Sequence, residues 1–255
     1  MTVFTGKLNN FQNHLISFTA LLIVWQALSM IFGNAIVPSP YETMRAVGVI
    51  HENGRLWDYL PLTLYRFVVG FSIGAVLGFI FGAIAGFNHR IYNLLQPLVG
   101  TILGSPVIVV VVLAMIWFGM GSNQAIFINI VFTFPLVYMS TVEGVRMIDR
   151  NLLEMADSFG INKWIRWWEL YLPALATSFL SGFAFAAGTA LRRAIMAELL
   201  GSYDGIGYAM AMTRVNLNIA ELFAWILVSL IVVVIVEFIM IKPVQKYMLR
   251  WRTIS

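Results

Sequence analysis

No cysteine occurs in the 255-residue chain, and only three histidines do. The first absence excludes a disulfide framework, a thiolate metal site and a cysteine nucleophile. His14, His51 and His89 are scattered, with no carboxylate or second histidine near in spacing, so they read as surface residues and no metal site is expected. Charge is scarce as well: 11% of residues carry it, against roughly 25% in an ordinary soluble domain. With 60% of residues hydrophobic, this excludes a disordered chain, a nucleic-acid-binding domain and a typical soluble enzyme. What fills the chain instead is long apolar runs. A helix crossing a bilayer needs about 20 mostly apolar residues, and several stretches qualify. The expected fold class is an all-α membrane protein, and the net charge of +4 then reflects basic loops facing anionic lipid.

Six spans are expected, at about Leu15–Phe32, Leu62–Phe87, Leu94–Phe118, Ala125–Val142, Ala174–Leu200 and Ala220–Ile241. The first run is long enough to span and follows 14 residues with one lysine, so no cleavable leader is expected. Pro97 and Pro106 interrupt the third span. Such breaks persist only where protein or a water-filled path satisfies the freed carbonyls, so Gly104-Ser105-Pro106 reads as a bend, either beside a pathway or as a packing kink. Orientation follows the basic residues. With the N-terminus inside, the inner segments hold Lys7, Arg90, Arg146, Arg150, Lys163, Arg166, Lys242, Lys246, Arg250 and Arg252. The outer ones hold Arg45, Arg55, Arg66 and Arg214, a ratio of ten to four that places both termini in the cytoplasm. No linker or second domain is evident, so residues 1–255 read as one transmembrane domain. The outer stretch Asn34–Tyr59 has Pro38-Ser39-Pro40 ahead of an apolar pattern at Met44, Val47 and Ile50, which predicts a short surface helix.

The second span carries Gly70, Gly74, Gly78, Gly82 and Gly86, steps of four that fall on one helix face. Static close packing is the plainer reading; a surface that slides during a conformational cycle is the other. The longest inner loop, about 143–173, contains Glu154-Met155-Ala156-Asp157-Ser158-Phe159-Gly160 and, further on, Leu170-Tyr171-Leu172-Pro173. Helical spacing runs from Ile148 to Phe159, with Leu152, Met155, Ala156 and Phe159 on the apolar side. Gly160 suits a helix stop, Asn162 a cap for a second short helix, and Pro173 the first turn of the fifth span. The result is an elbow with an apolar knob outside the bilayer, which implies a protein partner.

This spacing, Glu-x-Ala-x3-Gly-x9-Leu-x-Leu-Pro, resembles the "EAA" motif of permease subunits of binding-protein-dependent ABC importers. Glu154, Ala156, Gly160, Leu172 and Pro173 match, Leu170 takes the aliphatic place, and Met155 departs from the usual alanine. Val37-Pro38-Ser39-Pro40, Trp117-Phe118-Gly119, Ala197-Glu198-Leu199 and Gly205-Ile206-Gly207 are similar to the nitrate/sulfonate/taurine-type subfamily. The resemblance implies the type I importer permease architecture in the cell inner membrane, with Glu154 to Gly160 as the helix that couples to an ATPase. It implies a second permease copy, two cytosolic ATP-binding subunits and an extracytoplasmic substrate-binding protein. ATP and Mg would be used by the partner ATPase. This chain shows no Gly-x4-Gly-Lys-Ser/Thr loop, so neither a bound cofactor nor an enzyme activity of its own is expected. Relatives of this type carry nitrate, bicarbonate, taurine, other sulfonates and thiamine-precursor pyrimidines.

Arg192 and Arg193 fall within the fifth span, where an arginine near the bilayer centre costs about 2.5–3.5 kcal/mol on insertion scales. They point about 100° apart on a helix, so both cannot face one groove. Either one of them lines the pathway and attracts an anion, or they pair with Glu198, Glu221 or Glu237, or snorkel outward. Relatives of this type usually have small or uncharged residues here. Glu198 reads as the partner of Arg214 or as a gate residue, the ion pair being the plainer choice; Glu237 reads as the partner of Lys242. Ser105 and Glu198 join the two arginines as candidate pathway residues. A stand-alone secondary transporter is the alternative, but it would use internal repeats that are not visible here. An intramembrane enzyme would need a nucleophile and base that the spans lack.

Overall fold

The computed structural model describes the backbone over 2–252 and side chains over 16–239, except at 150, 163, 174 and 177. The side chains of Lys7, His14, Arg150, Lys163, Lys242, Lys246, Arg250 and Arg252 therefore lie outside the described residues. The described residues form helices α1 (Thr2–Phe32), α2 (Pro40–Glu52), α3 (Arg55–Phe87), α4 (His89–Gly104), α5 (Val107–Phe118) and α6 (Ser122–Arg146). There follow α7 (Arg150–Ser158), α8 (Lys163–Arg166), a π-helical turn (Trp167–Tyr171), α9 (Leu172–Gly201), α10 (Ile206–Val215) and α11 (Ile219–Arg252). Two compact units divide the chain: residues 1–58 with 209–229, and residues 59–208 with 230–255.

All six expected apolar segments fold as helix. Arg55–Phe87, Ser122–Arg146 and Ile219–Ile239 are each long and apolar enough to cross a bilayer, and the described part of α1, Ile16–Phe32, is an apolar helix. The third segment differs from a plain span. It breaks into α4 and α5 with a 101° bend. Pro106 causes the break and Pro97 does not: Pro97 sits inside α4, while Ser105 is extended (ψ 134°) and caps it.

In the first unit the short helix α2 starts as its sequence directs. Ser39 accepts from Glu42 N–H at 3.2 Å, and Glu42 accepts from Ser39 N–H at 3.2 Å. This is a capping box, with Pro40 in the first turn. Trp25 Nε1 donates to Pro38 O at 3.0 Å, which ties the approach to α2 onto α1. The expected surface helix is present; of its apolar pattern Ile50 is buried and Val47 half-buried, while Met44 is exposed and Thr43 is buried in addition. Thr43 Oγ1 is satisfied locally, donating to Ser39 O at 3.0 Å, so it can be buried. Arg55 pairs with Glu221 at 2.5 Å and lies over the Trp225 ring.

In the second unit the glycine face of α3 meets α6. A Cβ placed on Gly70, Gly74, Gly78, Gly82 or Gly86 would lie 2.6–2.9 Å from the Cβ of Asn129, Thr133, Val137, Thr141 or Val145, in that order. Both rows advance by four residues, so two ridges interlock with no room for a methyl group. Gly78→Leu is expected to cost about 1–3 kcal/mol by overpacking, read as a lower thermal midpoint of the purified protein. Gly48→Ala, where nothing lies within 4 Å, should leave that midpoint unchanged or raised. An unchanged Gly78→Leu protein would show that the two helices separate freely.

Candidate functional site

The elbow is built by three local devices. Asp149 caps α7 by accepting from Asn151 N–H at 2.9 Å. At the other end Gly160 has φ +62°, Ile161 N–H donates to Ala156 O at 3.0 Å, and Gly160 N–H donates to Asp157 O at 3.1 Å. That pair of bonds around a left-handed residue is a Schellman stop. Asn162 then accepts from Trp164 N–H at 3.2 Å and starts α8. Arg166 crosses the corner to Asp157 at 2.7 Å and clamps the two arms. Ser158 Oγ donates back to the Glu154 backbone O at 2.9 Å, and the Glu154 residue is exposed.

Once the corner is set, the side chains sort by size. Ala156 is 4% exposed and faces inward, while Met155 and Phe159 point out, Phe159 at 77% exposure. Leu152, Met147 and Trp164 on the same loop are exposed as well. A cluster of large apolar side chains on a charged loop is unfavourable in water and unneeded for the fold. The π-helical turn Trp167–Tyr171 continues into α9, where Tyr171 and Trp167 both touch Phe87 at the end of α3. The elbow is thereby anchored to the ends of two long helices.

A second constellation was not legible in advance. Arg66, counted above among outer arginines, is buried within α3 and pairs with Glu198 at 2.7 Å, with side chains 1% and 0% exposed. Arg66 also donates to Ser122 Oγ at 3.0 and 2.9 Å and to Asp204 O at 2.9 Å, and it forms a short ion pair with Asp204. Glu198 accepts further bonds from Thr63 Oγ1 at 2.8 Å and Gly207 N–H at 3.0 Å. Its partner is thus Arg66, not Arg214, which is exposed. This network accounts for two of the motifs. Gly205 has φ +95° and turns the chain so that Gly207 N–H reaches the carboxylate; a Cβ on Gly205 would lie 2.5 Å from it. The signal available in the sequence was Arg66 itself, a charge inside the expected span from Leu62. Asp204 and Thr63, common types in ordinary positions, gave none.

The remaining candidates separate. Arg192 forms a short ion pair with Glu237, one of the partners considered for it; the expected pairing of Glu237 with Lys242 lies outside the described residues. Arg193 turns the other way: its Nη1 donates to Thr189 Oγ1 at 2.6 Å and its Nη2 to Thr133 Oγ1 at 3.2 Å. Ser105 donates to Thr101 O at 2.7 Å at the α4–α5 bend, half-buried. The structure brings Glu198, Arg193 and Ser105 into no common cluster.

A helical membrane subunit with a helix–glycine–helix elbow exposing large apolar side chains is the class that this fold and site define. Residues 74–250 match the family described as "binding-protein-dependent transport system inner membrane component", and the chain belongs to that family. It is 33% identical over 196 residues to a putative aliphatic sulfonates transport permease protein of Escherichia coli, covering 76% of this chain and 74% of that one. It is 26% identical over 237 residues to a formylaminopyrimidine transport permease protein of Halalkalibacterium halodurans, covering 92% and 94%. In fold it is similar to an amino acid ABC transporter chain, with a TM-score of 0.64 at 16% identity, over 80% of this chain and 97% of that one. The methionine ABC transporter in an inward-facing form gives a TM-score of 0.58 at 19% identity, over 75% and 93%. The chain is an inner-membrane permease subunit of an ATP-driven importer and works with ATPase and binding-protein partners. It is not itself the ATPase.

Proposed function

We propose that this permease passes a small organic anion, an alkanesulfonate in the first instance, through a pore formed by two copies of the chain. The observation that carries the mechanism is the Gly160 corner, which fixes Met155 and Phe159 outward on a short rigid helix. Glu154 to Gly160 seat on the ATPase subunit. When that subunit binds ATP and Mg and closes, the elbow moves, and its anchorage through Trp167 and Tyr171 carries the motion to α3 and α9. The sulfonate reading is supported by the 33% identical relative and by Arg193 within α9, which is bound only by threonine hydroxyls. Both termini lie in the cytoplasm. Removing buried Arg66 from the outer tally raises the inner-to-outer ratio of basic residues to ten to three, which supports that orientation.

The test is co-purification of the tagged permease with its genomic-neighbour ATPase and binding protein, followed by ATPase assays with ethanesulfonate, taurine, nitrate and bicarbonate. Stimulation by the binding protein loaded with ethanesulfonate or taurine, with two permease copies per complex, supports the proposal; stimulation by nitrate or bicarbonate alone contradicts its substrate. A permease that purifies alone, or a complex indifferent to all four solutes, contradicts it.

A further inference from the structure

Arg55, Arg66, Arg166 and Arg192 each have a carboxylate partner, whereas Arg193 has none among the described residues. Its guanidinium is half-buried in α9 and bound only by the neutral hydroxyls of Thr189 and Thr133, and its Nε is buried without a partner. One turn from Thr133 on the same face of α6 stands Asn129, 0% exposed, with both ends of its amide unpartnered. Thr133 and Asn129 are held there by the close approach of Gly74 and Gly70. A buried cation without a counter-charge is strongly unfavourable, and its usual remedy is an anion. Arg192, beside it, has that remedy in Glu237.

We infer that Arg193, with Thr133 and Thr189, is an oxyanion contact for the transported solute, and that Arg192 is a structural residue. The guanidinium fork suits two oxygens of a sulfonate or carboxylate, and its single uncompensated charge matches a monoanion. Carried cargo thereby completes a charge pair that the empty permease lacks. This rests on the permease reading above and names the residue that would recognise the anion.

The experiment uses the assembled importer in proteoliposomes with radiolabelled ethanesulfonate. Arg193→Gln should lower uptake at least about tenfold, as loss of a charged hydrogen-bonding group does, with Arg193→Lys retaining part of it and Arg192→Gln staying within about twofold. Thr133→Asp supplies a carboxylate to Arg193 within the protein. It should raise the thermal midpoint while blocking uptake. Wild-type uptake by Arg193→Gln, or undiminished uptake by Thr133→Asp, overturns the inference. Loss of the two-copy complex in Arg193→Gln also overturns it, by assigning the arginine to contact between copies. If the wild-type importer ignores ethanesulfonate, the sulfonate reading fails separately. The inference is then decided by whether ethanesulfonate, nitrate and bicarbonate raise the thermal midpoint of the wild type but not of Arg193→Gln; an equal response in both contradicts it.

Discussion

Glu198→Ala is expected to destabilise the protein by about 3–5 kcal/mol, the usual consequence of stranding one member of a fully buried ion pair. The loss falls at the lower end of that range because Arg66 keeps Asp204 and Ser122. At about 2–4 °C per kcal/mol for a chain of this length, the thermal midpoint should fall by roughly 6–12 °C. The diagnostic outcome is the double variant. Arg66→Met with Glu198→Leu removes both charges and fills the volume, so it should recover much of the midpoint lost by either single change. If the two single losses simply add in the double variant, the pair is not coupled and the network described here is wrong.

The second large effect is at the elbow. Phe159→Asp places a charge at the centre of the proposed docking knob, where truncating an interface hot spot costs 2 kcal/mol or more, about thirtyfold in affinity. Co-purification with the ATPase should fail while the permease remains folded and inserted, since Phe159 is exposed and supports no packing. Gly160→Val acts through the backbone instead. Nothing lies within 4 Å of a Cβ there, so the only penalty is φ +62°, about 1–2 kcal/mol for an L side chain. Uptake and substrate-stimulated ATPase activity should fall, with the ATPase still bound weakly. Gly160→Asn, which tolerates that conformation, should restore most of the activity.

Why the elbow could be read from sequence and the ion-pair network could not is a matter of range. Gly160, Asn162 and Pro173 act on backbone groups within a few residues, so their types state their roles. The Ser39–Glu42 capping box at the start of α2 is the same kind of signal. Arg66 and Glu198 are 132 positions apart, and only the packing of α3 on α6 and α9 brings them together. The glycine row announced a close helix contact but not its partner, because α6 supplies ordinary Asn, Thr and Val residues. Glu237 was one of three carboxylates considered for the arginine pair, and sequence alone could not choose among them, because Arg192 lies 45 positions away. The 101° break was half legible: a proline marks where a helix ends, not the angle at which the chain resumes.

The central claim is that Met155 and Phe159 lie against the ATPase during transport, and the absence of native cysteine makes it directly measurable. A single cysteine at position 159 can be the chain's only thiol. Cross-linking Phe159→Cys in native membranes, with Ser39→Cys at the cap of α2 as control, should yield one adduct of permease plus ATPase whose yield changes when ATP is added. Adducts at both positions alike, or none with the ATPase at position 159, would contradict the account.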